Sequence, residues 1–240
     1  MKINWNYIKA LILLALVVFL YGFTHQKNSV KTIRDIVIEF DEGNNLFMNY
    51  EMVNKLLIQN GKTVKNQGKS VIDLHKLEVH VLAHPMVEDA SIFLTVDGLL
   101  KSKIKQRTPI ARVITDNKSY YIDKQGKTMP LSSNHSARVM LISGNVKEEN
   151  REEIHLLVTT ILSDDFLKKQ IIGIQKVQNN EFVLSTRIGD QKIVIGKIEN
   201  LKQKFKNLKS FYTKTMTDKS INNFITINLK YNDQVVFTKQ

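Results

Sequence analysis

The chain has 240 residues, a net charge of +12, 42% hydrophobic and 24% charged residues, and no cysteine. That balance is globular rather than disordered or fibrous, and a chain without cysteine has neither a disulfide scaffold nor a thiolate metal site. Lysine outnumbers arginine, the basic residues are spread along the whole chain, and no arginine–aromatic stacking set accompanies them, so nucleic acid is not an expected partner.

The first element is an uninterrupted apolar run over 10–23, ALILLALVVFLYGF. Counted from Trp5 it approaches the ~20 residues that cross a bilayer. Trp5, Tyr7 and Tyr21 stand where interfacial aromatics belong, and Lys9 is close enough to the end to snorkel. Tyr21-Gly22-Phe23-Thr24-His25 offers no small-residue cleavage site, so an uncleaved anchor is expected rather than a signal peptide. The expected organisation is a tail over 1–7, a transmembrane helix over 8–23 and a polar linker over 24–32. Lys2 and Lys9 on one side nearly balance Lys27, Lys31 and Arg34 on the other, so charge alone leaves the orientation open.

Residues 33–107 read as one small domain. Ile36, Ile38 and Phe40 alternate along a strand that breaks at Asp41-Glu42-Gly43-Asn44-Asn45. Asn49 caps a helix with Glu51 in its first turn and a stripe of Val53, Leu56 and Leu57; Gly61 stops it, and 62–70 reads as polar loop. Leu74, Leu77, Val81 and Leu82 space a second helix, closed by Pro85. Ala90, Ile92, Leu94 and Val96, then Asp97-Gly98, then Leu100, Ser102 and Ile104, predict a hairpin with a type I′ turn. The order is β-α-α-β-β, and the fold class is α+β.

From Pro109 strands dominate. They are expected over 111–115 and 120–123 around Asp116-Asn117, near Met129-Pro130-Leu131, and over 138–142. A helix over 148–162 follows, with Ile154, Leu157, Val158, Ile161 and Leu162 on one face. Next come strands over 174–178 and 182–188 around Asn179-Asn180, and over 192–195 after Gly189-Asp190. A basic helix over 197–211 carries Ile198, Leu201, Phe205 and Leu208. Strands over 224–231 and 235–238 complete a mostly-β domain, 108–240, with two helices.

Chemical motifs are lacking: no GxGxxG, P-loop, GxSxG or HExxH occurs. His75 and His80 face different sides of their helix and His84 falls outside it, so no metal site is expected. Asp164-Asp165 reads as a charged helix end rather than a carboxylate pair. Neither catalytic residues nor a cofactor are expected. The final hairpin is the candidate surface, because a terminal sheet edge has free N–H and C=O groups that a partner strand can pair. Along it Ile225, Ile227 and Leu229 alternate with Thr226, Asn228 and Lys230, one set inward and the other outward. Tyr231 stands beside the Asn232-Asp233 turn as a candidate anchor.

Several motifs in order resemble the FtsQ/DivIB family of bacterial cell-division proteins. Leu74 and Leu77-Glu78 precede His84-Pro85-x-Val87-x-x-Ala90, similar to the family's P-x-V-x-x-A-x-V with Ile92 for the last valine. Gln106-Arg107-Thr108-Pro109-Ile110-Ala111 is similar to E/Q-R-x-P-x-A, and Tyr121-Ile122-Asp123-Lys124-Gln125-Gly126 to x-I-D-x-x-G. Ile225-Thr226-Ile227-Asn228-Leu229-Lys230-Tyr231 is similar to the closing Y-V-D-L-R-Y, with Asn228 for aspartate and Lys230 for arginine. The resemblance implies that residues 33–107 form a POTRA domain, a polypeptide-binding module. It implies a non-enzymatic scaffold of the division complex, anchored once in the inner membrane. The N-terminus would lie in the cytoplasm and the bulk in the periplasm at the septum. Its partners would be the small coiled-coil membrane proteins FtsB and FtsL, through which it regulates the septal synthase pair FtsW and FtsI. By position the contact falls on Lys230, Tyr231, Val235 and Phe237, flanked by Thr226 and Asn228. A second reading is a POTRA-type component of a translocation or envelope-assembly system. The residues after the POTRA-like unit include two helices and cannot supply the membrane barrel of such systems. A third, an anchored glycan-binding or hydrolytic protein, predicts converging carboxylates that the sequence does not display.

Overall fold

A computed structural model of the protein describes residues 5–29, 31–41, 45–59, 61–115, 118–188, 191–231 and 234–239. Residues 1–4 of the expected tail, the breaker at 42–44, and the turns at Asp116-Asn117, Gly189-Asp190 and Asn232-Asp233 lie outside the described residues. So do the side chains of 6, 7 and 25–29. The chain divides into two compact units, 1–106 and 107–240, and is a mixed α+β protein.

Helix α1, Trp5–Ser29, contains the apolar run, and its described side chains are exposed along the whole stretch from Ile8 to Thr24. Among the described residues no helix is long and apolar enough to cross a membrane, so the spanning segment expected over 8–23 is present as a helix but not shown as a span.

The rest of the first unit runs β1 (Asp35–Phe40), α2 (Tyr50–Leu56), β2 (Ile58–Gln59), β3 (Lys62–Thr63), α3 (Leu74–Leu82), β4 (Val87–Leu94) and β5 (Leu99–Gln106). The expected order gains a short β2–β3 hairpin, Ile58 opposite Thr63: β2 takes the place of the end of the helix expected to run to Gly61, and β3 lies in the expected polar loop. The main sheet has the order β1-β5-β4, with β1 parallel and β4 antiparallel to β5. The Asn49 cap forms as read, and Asp73 caps the second helix in the same way. Asn49 Oδ1 accepts the Met52 N–H at 2.9 Å and Asp73 Oδ1 that of Lys76 at 3.0 Å, each satisfying a donor the first turn leaves open. Val53, Leu57, Leu77 and Val81 bury completely or nearly so with Ile92, Leu100 and Ile104.

The β4–β5 turn differs from the type I′ expectation. Gly98 N–H donates to the Thr95 carbonyl at 3.1 Å, and only Gly98, not Asp97, has positive φ, +91°. A two-residue I′ loop needs both central residues left-handed. Thr95 instead holds the loop open, its hydroxyl accepting the Leu99 N–H at 3.0 Å.

The second unit carries β6 (Pro109–Ile114), β7 (Ser119–Asp123), β8 (Thr128–Pro130), β9 (Met140–Gly144), α4 (Arg151–Leu162), α5 (Asp165–Gln170), β10 (Ile171–Lys176), β11 (Phe182–Thr186), β12 (Lys192–Gly196), α6 (Leu201–Thr217), β13 (Phe224–Asn228) and β14 (Val236–Lys239). All nine strands form one sheet of order β14-β13-β12-β11-β10-β9-β6-β7-β8. Strands β6, β9 and β10 are mutually parallel, as are β12 and β13; the other neighbours are antiparallel. The helices serve as crossovers between parallel strands. They lie on one face of the sheet, where Ile154, Leu157, Val158, Leu167, Phe205, Leu208 and Tyr212 join Val113, Ile142, Ile174, Leu184, Ile193 and Ile227 in one core.

Two corrections follow in this unit. Asp164 does not end a helix; it caps the next one, accepting the Phe166 and Leu167 N–H groups at 3.1 Å each. The basic helix runs Leu201–Thr217 rather than 197–211, leaving Ile198 outside and adding Tyr212 and Thr215 to the buried stripe. Threonines at 213, 215 and 217 argue against helix by propensity; burial of Tyr212 outweighs them.

Two motifs singled out in the sequence meet at the start of the unit. Arg107 Nη1 lies 2.7 Å from Asp123 Oδ2, both side chains nearly inaccessible at 9% and 1%. Asp123 Oδ1 also accepts the Gln125 and Lys127 N–H groups at 2.9 and 2.8 Å, closing the turn after β7. In the first unit, Gln106 accepts the Phe47 N–H and donates to the Met48 carbonyl, both at 3.0 Å.

Candidate partner-binding surface

Strand β14 lies at one end of the nine-stranded sheet and pairs with β13 alone. At the other end is β8, three residues long and closed by Pro130. Proline has no N–H to offer and blunts an edge. All four side chains of β14 are exposed, so β14 is the edge open to strand addition.

The sheet positions the expected residues on different faces. Asn228 is opposite Val194 on one side and Val236 on the other, and Thr226 is opposite Lys192 and Thr238. The cross-strand row Ser143, Gln175, Val183, Val194, Asn228 and Val236 lies on the face away from the helices and is exposed or half-buried throughout. Thr226 and Asn228 belong to that open face. Phe237, opposite the buried Ile227, belongs to the helix face. Its ring meets those of Phe224 at 4.8 Å and Phe211 at 5.7 Å, and these two are 5.1 Å apart. The aromatic trio ties β14 to α6, although Phe237 stays 44% exposed. Val235 packs half-buried against the same core.

Strand β13 is interior, so its backbone is flanked by β12 and β14. A register shift between Phe224 and Thr226 also breaks the expected alternation. Phe224 is buried in place of Ile225, which is 44% exposed; a bulge turns one residue out of phase. Ile227 and Leu229 face inward as read, at 0% and 1%.

Lys230 and Tyr231 follow the strand. Leu229 N–H still donates to the Val194 carbonyl at 2.8 Å, and Lys230 N–H donates to Asn228 Oδ1 at 3.0 Å. The Lys230 ammonium sits 2.5 Å from Glu181 Oε2. Its stem crosses Gly196, where φ is +70° and an added Cβ would come within 2.9 Å of Lys230 Cγ. Tyr231 is 53% exposed and makes no hydrogen bond among the described residues. Phe224 belongs to the expected strand over 224–231, but Glu181, Gly196 and Phe211 were not recognisable as parts of this surface. They lie just before β11, at the end of β12 and in α6, and only the positive-φ glycine leaves a trace in the sequence.

Elsewhere, His75 and His80 are exposed and His84 half-buried. Among the described residues no three histidine, aspartate or glutamate side chains gather as a metal site.

No curated protein matches the chain. The family model described as FtsQ/DivIB, C-terminal related, matches residues 108–238, which is nearly the whole second unit and more than half of the chain. The chain therefore belongs to the FtsQ/DivIB C-terminal related family of cell-division proteins.

Proposed function

We propose that the protein is a non-enzymatic, membrane-anchored scaffold of the division complex. It binds FtsB- and FtsL-like coiled-coil proteins through the C-terminal sheet edge and so regulates septal peptidoglycan synthesis by an FtsW/FtsI-type pair. The observation that carries this reading is the unblocked β14 edge with exposed Tyr231 beside it. A partner strand along β14 would pair its outer backbone groups, and alternate side chains would give specificity. Family membership supports a role in cell division and protein partners in general.

In the same proposal α1 is the anchor and residues 33–107 act as a POTRA-type module. A 25-residue helix is about 37 Å long, enough to cross with some tilt. Leu11 to Leu14 and Leu16 to Leu20 are each at least half exposed, on every side of the helix. Apolar side chains all round a helix are stable in lipid, not in water.

The test is co-purification of the FtsB-like partner with full-length Tyr231→Ala. An exposed aromatic anchor typically carries about 2 kcal/mol or more, so partner recovery falls roughly thirtyfold, while the melting temperature stays at the wild-type value. Phe237→Ala lowers both, because it also releases β14 from Phe211 and Phe224. Wild-type recovery with both variants overturns the assignment of the edge.

A further inference from the structure

In the second unit a cleft of about 570 Å³ opens at the starts of the parallel strands β6, β9 and β10. Its floor is apolar: Ile110, Met140 and Ile171 are nearly buried, and Ile172 reaches 42% exposure. Its rim is cationic, formed by Lys124, Arg138, Lys168 and Arg187. Lys168 and Arg187 also border an adjoining hollow with Lys169 and Asp165. The region therefore gathers five cations against one carboxylate. None of the five makes an ion pair among the described residues. Arg187 gives its Nε–H to the Lys169 carbonyl at 2.9 Å, which restrains the guanidinium, and among the described residues its terminal nitrogens make no hydrogen bond.

The C-terminal end of α4 contributes to the concentration of charge, since Leu162 lines the cleft and a helix C-terminus favours nearby cations. That effect falls off within a turn and does not require an apolar floor with arginines from two separate connecting segments, before β9 and after β11. An apolar trough between unneutralised cations matches a ligand of the opposite pattern: carboxylates spaced by aliphatic side chains. Guanidinium groups bind carboxylates in a two-pronged geometry that fixes orientation.

We infer that this cleft is a second docking site, which takes an acidic peptide segment of a partner protein with aliphatic side chains between its carboxylates. A polypeptide is favoured because the protein belongs to a family of complex components. The site lies four strands from β14, about 19 Å along the sheet at the usual strand spacing. It is therefore separate from the edge proposed above and stands or falls without it.

The experiment is fluorescence anisotropy of a fluorescein-labelled peptide alternating glutamate and leucine, titrated with the full chain in nonionic detergent. Saturable binding is expected. A peptide with glutamine for glutamate binds at least about tenfold more weakly, and so does the original peptide with Arg138→Glu/Arg187→Glu. Both arginines are exposed, so the variant keeps the wild-type melt; should it not fold, Arg138→Lys/Arg187→Lys keeps the charge and still loses several-fold through the missing fork. Lys202→Glu/Lys206→Glu makes the same charge change on the exposed face of α6 and stays within about twofold of wild type. Tyr231→Ala binds the peptide normally, which separates this site from the β14 edge. Equal weakening by the two charge reversals, or equal binding of the glutamine peptide, overturns the inference. So does an absence of peptide binding while short-chain phosphatidylglycerol binds in an Arg138- and Arg187-dependent way, which makes the cleft a lipid-headgroup site.

Discussion

Asp123→Ala tests whether the two motifs that meet at the start of the second unit are structural. The substitution leaves the Arg107 guanidinium almost inaccessible with only Gln125 Oε1, at 3.4 Å, still within reach. It also removes the acceptor for the Gln125 and Lys127 N–H groups. Breaking a buried pair from one side costs about 3–5 kcal/mol, most of it the stranded charge. With an unfolding entropy near 2.1 cal/mol/K per residue, about 3.5 kcal/mol lowers the melting temperature of a unit of about 130 residues by roughly 12 °C. Arg107→Met is milder, about half that, because Asp123 keeps its two backbone donors. The assay is differential scanning calorimetry or tyrosine near-ultraviolet dichroism. Tryptophan fluorescence is blind here, since Trp5 is the sole tryptophan and sits in α1. A shift under about 3 °C for Asp123→Ala, or a larger loss for Arg107→Met, refutes the reasoning.

Three further outcomes follow from local geometry. The Lys209 ammonium, then the Leu167 and Phe166 N–H groups, hold the Asp164 carboxyl below its usual 3.8. That stabilisation is present above pH 3.8 and is lost as pH falls through the lower folded value, so the melting curves of wild type and Asp164→Asn converge below about pH 4. Burial lowers the His84 imidazole below its usual 6.5, and neutral Nδ1 accepts the Met86 N–H at 3.3 Å. Its contribution is complete above pH 6.5 and is lost in acid, so His84→Asn flattens the decline in stability between pH 7 and 5 that urea titrations follow. Gly196→Ala places a side chain at φ +70° against Lys230; about 1–2 kcal/mol is lost in urea unfolding, and the Lys230–Glu181 pair is displaced.

Elements with a local cause were legible in the sequence. Asn49 is a cap because its side chain reaches an N–H group three residues on, a purely local event; Asp73 does the same, although the sequence marks it only as the start of its helix. The β4–β5 pairing followed from alternation, but its turn type did not, because Thr95 supplies a side-chain bond that alternation does not record. Helix α5 was hidden because its short stretch Asp165–Gln170 follows a helix at once, and a capping aspartate looks the same as a terminal one. The extent of α6 was set by Tyr212 and Thr215 packing under the helix, a tertiary effect that overrides threonine's weak propensity. The Arg107–Asp123 pair could be noticed only as two motifs; nothing in their spacing announced that they would touch.

The candidate surface illustrates the same limit and narrows how a partner strand reads it. Alternation assumes an unbroken strand, and the bulge between Phe224 and Thr226 exchanges inside for outside over two residues. Beyond β14, an added strand lies one spacing, about 4.8 Å, from Val236, Phe237 and Thr238, and a second spacing from Thr226 and Asn228. Its direct neighbours are therefore the exposed side chains of β14, with Val236 and Thr238 on the open face and Phe237 on the helix face. Successive side chains of the added strand alternate between these faces, so one series meets the Val236–Asn228–Val194 row and the other the Phe237–Phe211–Phe224 trio. In the proposed complex Thr226 and Asn228 would be reached only by long side chains of the partner's open-face series. Tyr231, placed after the end of β13, is reached only by a partner segment that continues past the strand. The arrangement favours a partner with a strand flanked by a further contacting segment over one that ends with the strand.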